Sequence, residues 1–168
     1  MGHPTPHALS PAREAGTDWH ADRVPEHHEL IRPARPEDAE GVWPLVREFA
    51  TSFTPDRTAF EATWHQTVAA AHTLVLVAET VDGDIVGYLL GHSHRTFFAN
   101  GPVAWVEELM VEHRHRRSGV GRRLMEHAED WARSTGAAYL ALASRRAGHF
   151  YLALGYEDSA VFYKHTLR

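Results

Sequence analysis

The sequence predicts an α/β domain, of the α+β type, in which helices cover both faces of a mixed, mainly antiparallel central sheet. Short runs rich in β-branched and other apolar residues alternate with segments whose apolar residues recur every three or four positions. The first pattern is typical of strands and the second of amphipathic helices. Two strand-like runs flank residues 81–84 (Val-Asp-Gly-Asp), a turn that favours an antiparallel hairpin. The predicted element order is β-α-α-β-β-β-α-β-α-β.

Length and composition are those of one ordinary globular domain. The chain has 168 residues, of which 43% are hydrophobic and 23% charged. It contains no cysteine, which excludes a disulfide framework and a thiol nucleophile. No apolar run approaches the ~20 residues of a membrane span, and the first residues lack an apolar signal core, so we expect a cytoplasmic protein without a membrane partner. A net charge of -5 argues against nucleic-acid binding and favours a cationic substrate.

Residues 1–28 are predicted to form an extended or disordered arm, followed by one domain over residues 29–168. The arm is rich in proline, alanine, histidine and charge, and it shows neither helical nor strand periodicity. Its histidines do not have a recognisable metal-binding spacing, and we expect no metal site in the chain.

The domain begins with a predicted strand and two helices. Residues 29–34 suit the strand, and residues 35–38 (Arg-Pro-Glu-Asp) suit a helix start with proline and acids in its first turn. A second helix is predicted over residues 55–71. Phe49, Phe53 and Trp64 in this region are candidates for contact with a substrate, but aromatic residues at helical spacing favour a role in the core.

The remaining elements are five strands and two helices. The strands are predicted over residues 73–80, 85–92, 103–111, 137–144 and 159–167. The strand 137–144 is expected to be fully buried because nearly all of its residues are apolar. A long helix begins at Val120 and ends at a glycine cap, Gly136, and a short helix covers residues 147–154.

The stretch from residue 103 to 131 organises the chain: a strand, a short basic loop and an amphipathic helix. Gly119 and Gly121 lie where the chain enters the helix and leaves its first N–H groups without partners. Glycine allows close approach to the backbone, and the helix dipole attracts negative charge. The pattern therefore indicates a site for a phosphate-bearing cofactor, although a plain glycine turn would give a similar pattern. The NTPase loop and the dinucleotide fingerprint are excluded because their lysine and third glycine are missing.

Two motifs identify a family. Arg116-x-x-Gly119-x-Gly121, directly after a strand ending in Leu-Met-Val, resembles the pyrophosphate-binding motif of the GNAT superfamily of acyl-CoA-dependent N-acyltransferases. Residues 147–156 (Ala-Gly-His-Phe-Tyr-Leu-Ala-Leu-Gly-Tyr) are similar to its second signature, Ala-x-x-Phe-Tyr-x-x-x-Gly-Phe/Tyr. The opening of the domain, residues 31–38, also resembles the family's first strand and helix. The resemblance extends over residues 29–167 and implies a GNAT-like fold.

The resemblance also implies which residues bind acetyl-CoA as the cosubstrate. The pyrophosphate would be held by the loop and its arginines, namely Arg116, Arg117, Ser118, Gly119, Val120, Gly121 and Arg122. The pantetheine would meet the backbone of Leu109, Met110 and Val111, in a gap that opens in the family between this strand and the next. Ser144 stands where many members have an asparagine that contacts the pantetheine.

Catalytic roles follow in part from the family and in part from the residues. Tyr151 aligns with the tyrosine that protonates the leaving thiolate in many members, and an ordinary tyrosine pKa of ~10 makes it a proton donor at neutral pH. Glu107 and Glu108 are adjacent in an apolar strand, which is costly unless one of them lines a hydrated cleft. Acidic residues here bind or deprotonate the acceptor in small-amine acetyltransferases of the family. Glu108 is preferred over Glu107, and His92 and His94 are alternatives.

The expected activity is direct transfer of an acetyl group from acetyl-CoA to a primary amine, without a covalent enzyme intermediate. The paired glutamates and the acidic balance favour a small cationic acceptor, such as a polyamine or an aminoglycoside. Two alternatives remain: a protein or peptide N-acetyltransferase, and a non-catalytic acyl-CoA-binding sensor. The sequence does not set the oligomeric state, and a homodimer is compatible with it.

Overall fold

The structure is a computed structural model that describes residues 29–167, so the predicted arm over residues 1–28 lies outside the described part. Five strands and four α-helices follow one another along the chain. They are β1 (Leu30–Pro33), α1 (Ala39–Phe49), α2 (Arg57–Val68), β2 (Thr73–Glu79), β3 (Ile85–Arg95), β4 (Pro102–Val111), α3 (Val120–Ser134), β5 (Leu140–Leu142) and α4 (Gly148–Ala153). Within residues 29–167 no helix is both long and apolar enough to cross a membrane.

The five strands form one sheet in the order β1-β2-β3-β4-β5, which confirms the mixed, mainly antiparallel arrangement. The first four strands pair antiparallel with their neighbours. Only β5 is parallel to its neighbour β4. The predicted hairpin is β2 and β3, joined through the turn at Gly83, whose φ is +90°.

The two faces of the sheet carry separate apolar cores, as predicted. On one face, α3 packs Val120, Leu124, Met125 and Ala128 against strand residues that include Leu89. On the other face, α1 and α2 contribute Val42, Leu45 and Trp64 to a core with Tyr88 and Met110. Trp64 is therefore a core residue, and its indole N–H donates to the Pro36 carbonyl at 3.0 Å. The predicted glycine cap of α3 is also confirmed, since Gly136 has a φ of +74°.

Two strand predictions near the end of the chain are wrong. Residues 159–167 form no strand in the single chain, and every residue from 157 to 167 is exposed. Their apolar pattern is compatible with a strand, but a strand also requires an edge to pair with. The predicted buried strand over residues 137–144 is reduced to the three residues of β5, all of them half-buried. Pairing with β4 ends at Leu142, and within residues 29–167 the outer edge of β5 has no partner.

A buried ion pair fixes the start of the domain. Arg32 on β1 donates to both carboxylate oxygens of Asp38, at 2.7 and 2.8 Å, and its Nε donates to Glu79 on β2 at 2.6 Å. The Arg35 backbone N–H donates to Asp38 as well, at 2.7 Å. Burial alone would raise the pKa of Asp38, but the Arg32 guanidinium and the Arg35 N–H together hold this pKa below its usual 3.8. The carboxylate therefore stabilises the fold where it is ionised.

Replacing Asp38 with alanine is expected to lower the free energy of unfolding by about 3–5 kcal/mol, because the change leaves a buried guanidinium without its main partner. The folded-state pKa of Asp38 is lowered, so its contribution is present above the unfolded value of 3.8 and disappears as the pH falls through the folded value. Urea unfolding at neutral pH measures the loss of stability. Urea unfolding at a pH below the folded-state pKa of Asp38 measures how much of the loss depends on the ionised carboxylate. Glu37→Ala changes an exposed carboxylate in the same turn and should cost little. Equal losses for the two variants would contradict this account.

Candidate active site

The site is positioned by an irregularity in β4. The antiparallel register with β3 pairs Leu90 with Glu108 and then Gly91 with Val106, which leaves Glu107 as an extra, bulged residue. The parallel ladder with β5 runs from Ala104 to Val106 and stops there. Beyond Val106, β4 is therefore paired on one side only.

Because the β4–β5 ladder stops at Val106, a gap in strand pairing runs along the second half of β4. Leu109, Met110 and Val111 remain paired with β3. Because a strand directs alternate backbone groups to its two edges, part of the N–H and C=O groups of these residues face the side without a strand partner. An extended ligand with amide groups can hydrogen-bond to such an edge. The gap lies beside the segment that, by the family resemblance, is expected to meet the pantetheine.

The loop after β4 leads into α3 through an unusual backbone turn. Gly119 has a φ of +92° and is the residue immediately before α3, and Arg117 has a φ of +67°. At the start of α3, the Arg123 N–H is the first to find an acceptor within the protein. It donates to the Gly119 carbonyl at 3.1 Å. Within residues 29–167, the N–H groups of residues 117–122 have no backbone acceptor. With the dipole of a 15-residue helix behind it, this turn has the properties of an anion-binding site.

The second glycine of the motif has a packing role that the sequence did not predict. A Cβ on Gly121 would lie 3.3 Å from the ring of Phe150 and 3.8 Å from the Val111 side chain. Gly121 thus allows α4 to pack closely against the first turn of α3. The two glycines have different structural roles. Gly119 adopts the left-handed backbone conformation, and Gly121 leaves room for the Phe150 ring.

The arginines of the loop divide into two groups. The Arg116 side chain is already bound, because its Nε donates to the Val111 carbonyl at 2.9 Å and its Nη2 to Glu48 of α1 at 2.8 Å. It ties the loop to β4 and α1 and is not a free cation. By contrast, the side chains of Arg117 and Arg122 are exposed at the turn and can reach an anion from solvent. Ser118 donates its hydroxyl to the His115 carbonyl at 2.7 Å, which stabilises the loop.

Tyr151 lies on α4, next to this turn through its neighbour Phe150. Its ring is half-buried and meets the rings of Phe150 and Tyr156 edge-on, at centroid distances of 4.9 and 6.0 Å. Burial raises the pKa of its phenol above the usual value, so the group is protonated at neutral pH. Among residues 29–167 its hydroxyl has no hydrogen-bond partner, so its proton is available to a ligand.

The two glutamates of β4 have different environments. Glu107 is exposed, whereas Glu108 is half-buried and accepts a hydrogen bond of 2.6 Å from the Tyr88 hydroxyl on β3. Burial raises the pKa of Glu108, and the nearby charge of Glu107 adds to this, while the Tyr88 hydrogen bond opposes it. A half-buried carboxylate whose pKa is raised can bind an ammonium group and accept its proton. The structure therefore separates two residues that the sequence could barely distinguish.

Tyr88 is a candidate site residue that the sequence pattern does not indicate. It is 3% exposed, it pairs with Met110 across the β3–β4 ladder, and Leu90 pairs with Glu108 on the same face. Strand periodicity shows that residues 88 and 90 share a face, but only the register shows that Glu108 lies on this face too. Phe49 at the end of α1 meets the Tyr88 ring edge-on at 6.5 Å. The loop after α1 places Phe53 in solvent, with its side chain 56% exposed.

The other candidates lie apart from Glu108. His92 and His94 pair with Trp105 and Val103, beyond the bulge, and His92 contacts the Thr73 hydroxyl at 3.3 Å. Ser144 accepts a hydrogen bond of 3.1 Å from the Ala147 N–H, at the start of α4. No group of three or more histidine, aspartate or glutamate side chains in residues 29–167 has the arrangement of a metal site.

Known proteins resemble the chain in both sequence and fold. Residues 39–156 match the sequence model of the acetyltransferase (GNAT) family. The chain is 31% identical over 143 residues to an aminoglycoside N(6')-acetyltransferase type 1 of Stenotrophomonas maltophilia, which covers 77% of this chain and 86% of that protein.

Two solved structures have a similar fold. One is a glucosamine-6-phosphate N-acetyltransferase from Arabidopsis thaliana, with a TM-score of 0.74 and 17% identity over 83% of this chain and 98% of that chain. The other is an aminoglycoside N-acetyltransferase in complex with CoA, with a TM-score of 0.71 and 22% identity over 82% of this chain and 95% of that chain. The resemblance inferred from the two sequence signatures is thus confirmed. The chain belongs to the acetyltransferase (GNAT) family and is an acyltransferase.

Proposed function

We propose that this enzyme transfers the acetyl group of acetyl-CoA directly to a primary amine of a small cationic molecule. The observation that carries the proposal is the end of the β4–β5 ladder at Val106. The gap beyond it has Glu108 at its inner end and leads along β4 to the anion-binding turn. An acyl chain attached to a diphosphate would fit this order of groups. GNAT enzymes use acetyl-CoA as the acyl donor. Its thioester, pantetheine and diphosphate follow one another in the same order as Glu108, the gap and the turn.

Each part of the site has one proposed task. The N–H groups of residues 117–122 hold the pyrophosphate, and Arg117 and Arg122 add charge-assisted hydrogen bonds. The free edge of residues 109–111 holds the pantetheine as an added strand would be held. Arg116 and Ser118 keep the loop in place through their own bonds, and Ser144 positions the start of α4.

The chemical step requires that one proton is removed from the acceptor's ammonium group and that another is given to the leaving thiolate. Glu108 binds the ammonium group of the acceptor and removes its proton, directly or through a water molecule. The neutral amine forms a C–N bond with the thioester carbon while the C–S bond breaks. Tyr151 gives its proton to the departing thiolate, which leaves as the free CoA thiol. The acylated nitrogen loses its second proton, which returns to the Tyr151 phenolate through solvent, and Glu108 releases the first proton to solvent. No residue of the enzyme forms a covalent bond with the acetyl group.

The charge of the site favours a cationic acceptor. Two adjacent carboxylates, Glu107 and Glu108, lie at the gap in a chain whose net charge is -5. The relative from Stenotrophomonas maltophilia is named for acetylation of aminoglycosides, which are polycationic amines. We therefore propose an aminoglycoside-like or polyamine-like acceptor for this enzyme too.

An amine panel tests the proposal. The purified protein is mixed with acetyl-CoA and with small polyamines, aminoglycosides, amino acids or peptides, and free thiol is measured. We expect the fastest release with small, multiply charged amines. Faster release with peptides would overturn the acceptor class. Binding of CoA without release in the presence of any amine would favour a sensor, and a protein that fails to bind CoA would refute the whole site.

Gly119→Ala is expected to weaken CoA binding by about tenfold. A side chain in the left-handed region costs about 1–2 kcal/mol, and the chain relieves this strain by leaving the conformation that aims the turn's N–H groups at an anion. Calorimetric titration with CoA measures the loss. Gly136→Ala is a matched control, because Gly136 also has a positive φ of +74° but caps the far end of α3 with nothing within 4 Å of its Cβ position. Equal weakening in both variants would mean general strain and would contradict the assignment of the turn.

Tyr88→Phe is expected to shift the acid limb of the pH profile of kcat/KM to higher pH. The Tyr88 hydrogen bond lowers the pKa of Glu108, so its loss raises that pKa further, and the ionised carboxylate forms only at higher pH. Tyr156→Phe is the control, since Tyr156 donates to Glu129 of α3, at 3.1 Å, and should leave the midpoint unchanged. A limb that stays in place in Tyr88→Phe would show that Glu108 is not the titrating group.

A further inference from the structure

The only lysine of the chain, Lys164, lies with its ammonium group over an aromatic ring. Its Nζ is 4.8 Å from the centre of the Phe53 ring, which is within the range of a cation–π contact. Within residues 29–167 Lys164 forms no ion pair with a carboxylate. In this part of the chain the ring is therefore the partner of the ammonium group.

The other cation–π contact among the described residues has a different basis. Arg57 lies over the Trp43 ring, with its Cζ 5.3 Å from the ring centre. Its guanidinium also pairs with Glu40 and Glu61, and these carboxylates account for its position without the ring. Phe53 holds its cation without such help. The residue is 56% exposed, so an ammonium group from solution can reach the ring once the lysine leaves it.

The loop that carries Phe53 begins next to the candidate acceptor carboxylate. Phe49 is the last residue of α1, and its ring meets the Tyr88 ring edge-on at 6.5 Å. The Tyr88 hydroxyl in turn donates to Glu108 at 2.6 Å. Phe53 follows Phe49 by four residues. Because an extended chain spans ~3.3–3.6 Å per residue, the Cα atoms of these two residues are no more than about 14 Å apart.

The same loop is also tied to the other side of the gap. Ser52 accepts a hydrogen bond of 3.4 Å from Nη2 of Arg145, a residue that follows β5. Since β5 runs parallel to β4 and pairs with it up to Val106, Arg145 and Glu108 both lie beyond the same end of this ladder. The loop therefore connects the two sides of the gap at this end. Phe53, the neighbour of Ser52, lies at the mouth of the gap.

We propose that the Phe53 ring binds a second ammonium group of the acceptor, and that Lys164 occupies the ring while the acceptor is absent. The lysine carries the same chemical group as a protonated primary amine. The reacting amine of the acceptor lies at Glu108, and another ammonium group of the same molecule replaces the lysine at the ring. A monoamine cannot occupy both places, so the ring favours multiply charged acceptors. This inference rests on the proposed function, because it presumes a small cationic acceptor.

Steady-state kinetics with linear diamines of increasing length, and with monoamines of the same lengths, tests the ammonium site. We expect a lower KM for the diamines in the unsubstituted enzyme. Phe53→Leu is expected to reduce the ratio of monoamine KM to diamine KM by about threefold to tenfold, the range of a partly exposed cation–π contact. Phe53→Tyr keeps an aromatic ring and should preserve the ratio. Phe97→Leu is the control, because Phe97 is an exposed phenylalanine of the β3–β4 loop. An unchanged ratio in Phe53→Leu would overturn the proposal.

Lys164→Met tests whether the lysine competes with the acceptor. The change removes the competing ammonium group and is expected to lower the KM for a diamine by about threefold, since more of the enzyme then has a vacant ring. Lys164→Arg keeps a cation over the ring and should have a smaller effect. In the Phe53→Leu background, Lys164→Met should have no further effect. A lysine with only a structural role would not improve substrate binding when it is removed, so an unchanged or higher KM in Lys164→Met would contradict the proposal.

The outcomes for the ammonium site and for the proposed function can be told apart. If no amine releases thiol from acetyl-CoA, the proposed function fails, and the ammonium site fails with it. If diamines are acetylated but the Phe53 and Lys164 variants keep the KM values of the unsubstituted enzyme, the proposed function stands and only the ammonium site is wrong.

Discussion

Tyr151→Phe is expected to lower kcat by about 100-fold to 10,000-fold, the range that a positioned general acid contributes. The leaving thiolate loses its proton source, while the ring keeps its contacts with Phe150 and Tyr156. Binding of CoA should change little, because the hydroxyl has no partner within residues 29–167 whose loss would disturb the site. Steady-state kinetics with the best amine of the panel, together with calorimetry, measures both quantities.

Tyr156→Phe is the control for this result. Tyr156 belongs to the same aromatic group and also loses a hydroxyl, but its hydrogen bond is to Glu129 of α3. We expect it to keep kcat within about threefold of the unsubstituted enzyme, as is usual where no buried partner or catalytic group is lost. If Tyr151→Phe turned over as fast as Tyr156→Phe, Tyr151 would have only a packing role.

The fold and the glycine turn before α3 were predictable because local sequence determines them. Strand β4 was expected over residues 103–111 and is observed from Pro102, and α3 begins at Val120 as predicted. A run of apolar residues, a glycine at positive φ and an apolar stripe are each read from a few neighbouring positions.

The remaining features depend on pairing between distant segments, which local patterns do not encode. The bulge at Glu107 and the end of the β4–β5 ladder at Val106 are properties of register. Only the β3–β4 register shows that Tyr88 and Glu108 lie on the same face of the sheet. For the same reason the sequence suggested a strand over residues 159–167 but could not show that no edge of its own chain pairs with it.

Glu108→Gln is expected to lower kcat/KM for a cationic amine by about 100-fold or more, within the range for a general base that also binds its substrate. Glutamine has nearly the same shape as glutamate, and its carbonyl can still accept the Tyr88 hydrogen bond, which is 2.6 Å long in the structure. The substitution therefore removes the negative charge and the proton acceptor with little change in packing. The acid limb of the pH profile should disappear together with the activity.

Glu107→Gln is the control for Glu108→Gln, because it removes a neighbouring negative charge of the same strand. Glu107 is exposed, and water screens its charge, so its loss should lower kcat/KM by no more than about threefold. Glu108 is half-buried and burial raises its pKa, so its negative charge would lie in a poorly solvated place where the ammonium group of an acceptor would stabilise it. A larger loss of kcat/KM in Glu107→Gln than in Glu108→Gln would show that the bulged residue Glu107, and not Glu108, binds the acceptor. Equal, small losses in both would mean that the amine reaches the thioester already neutral.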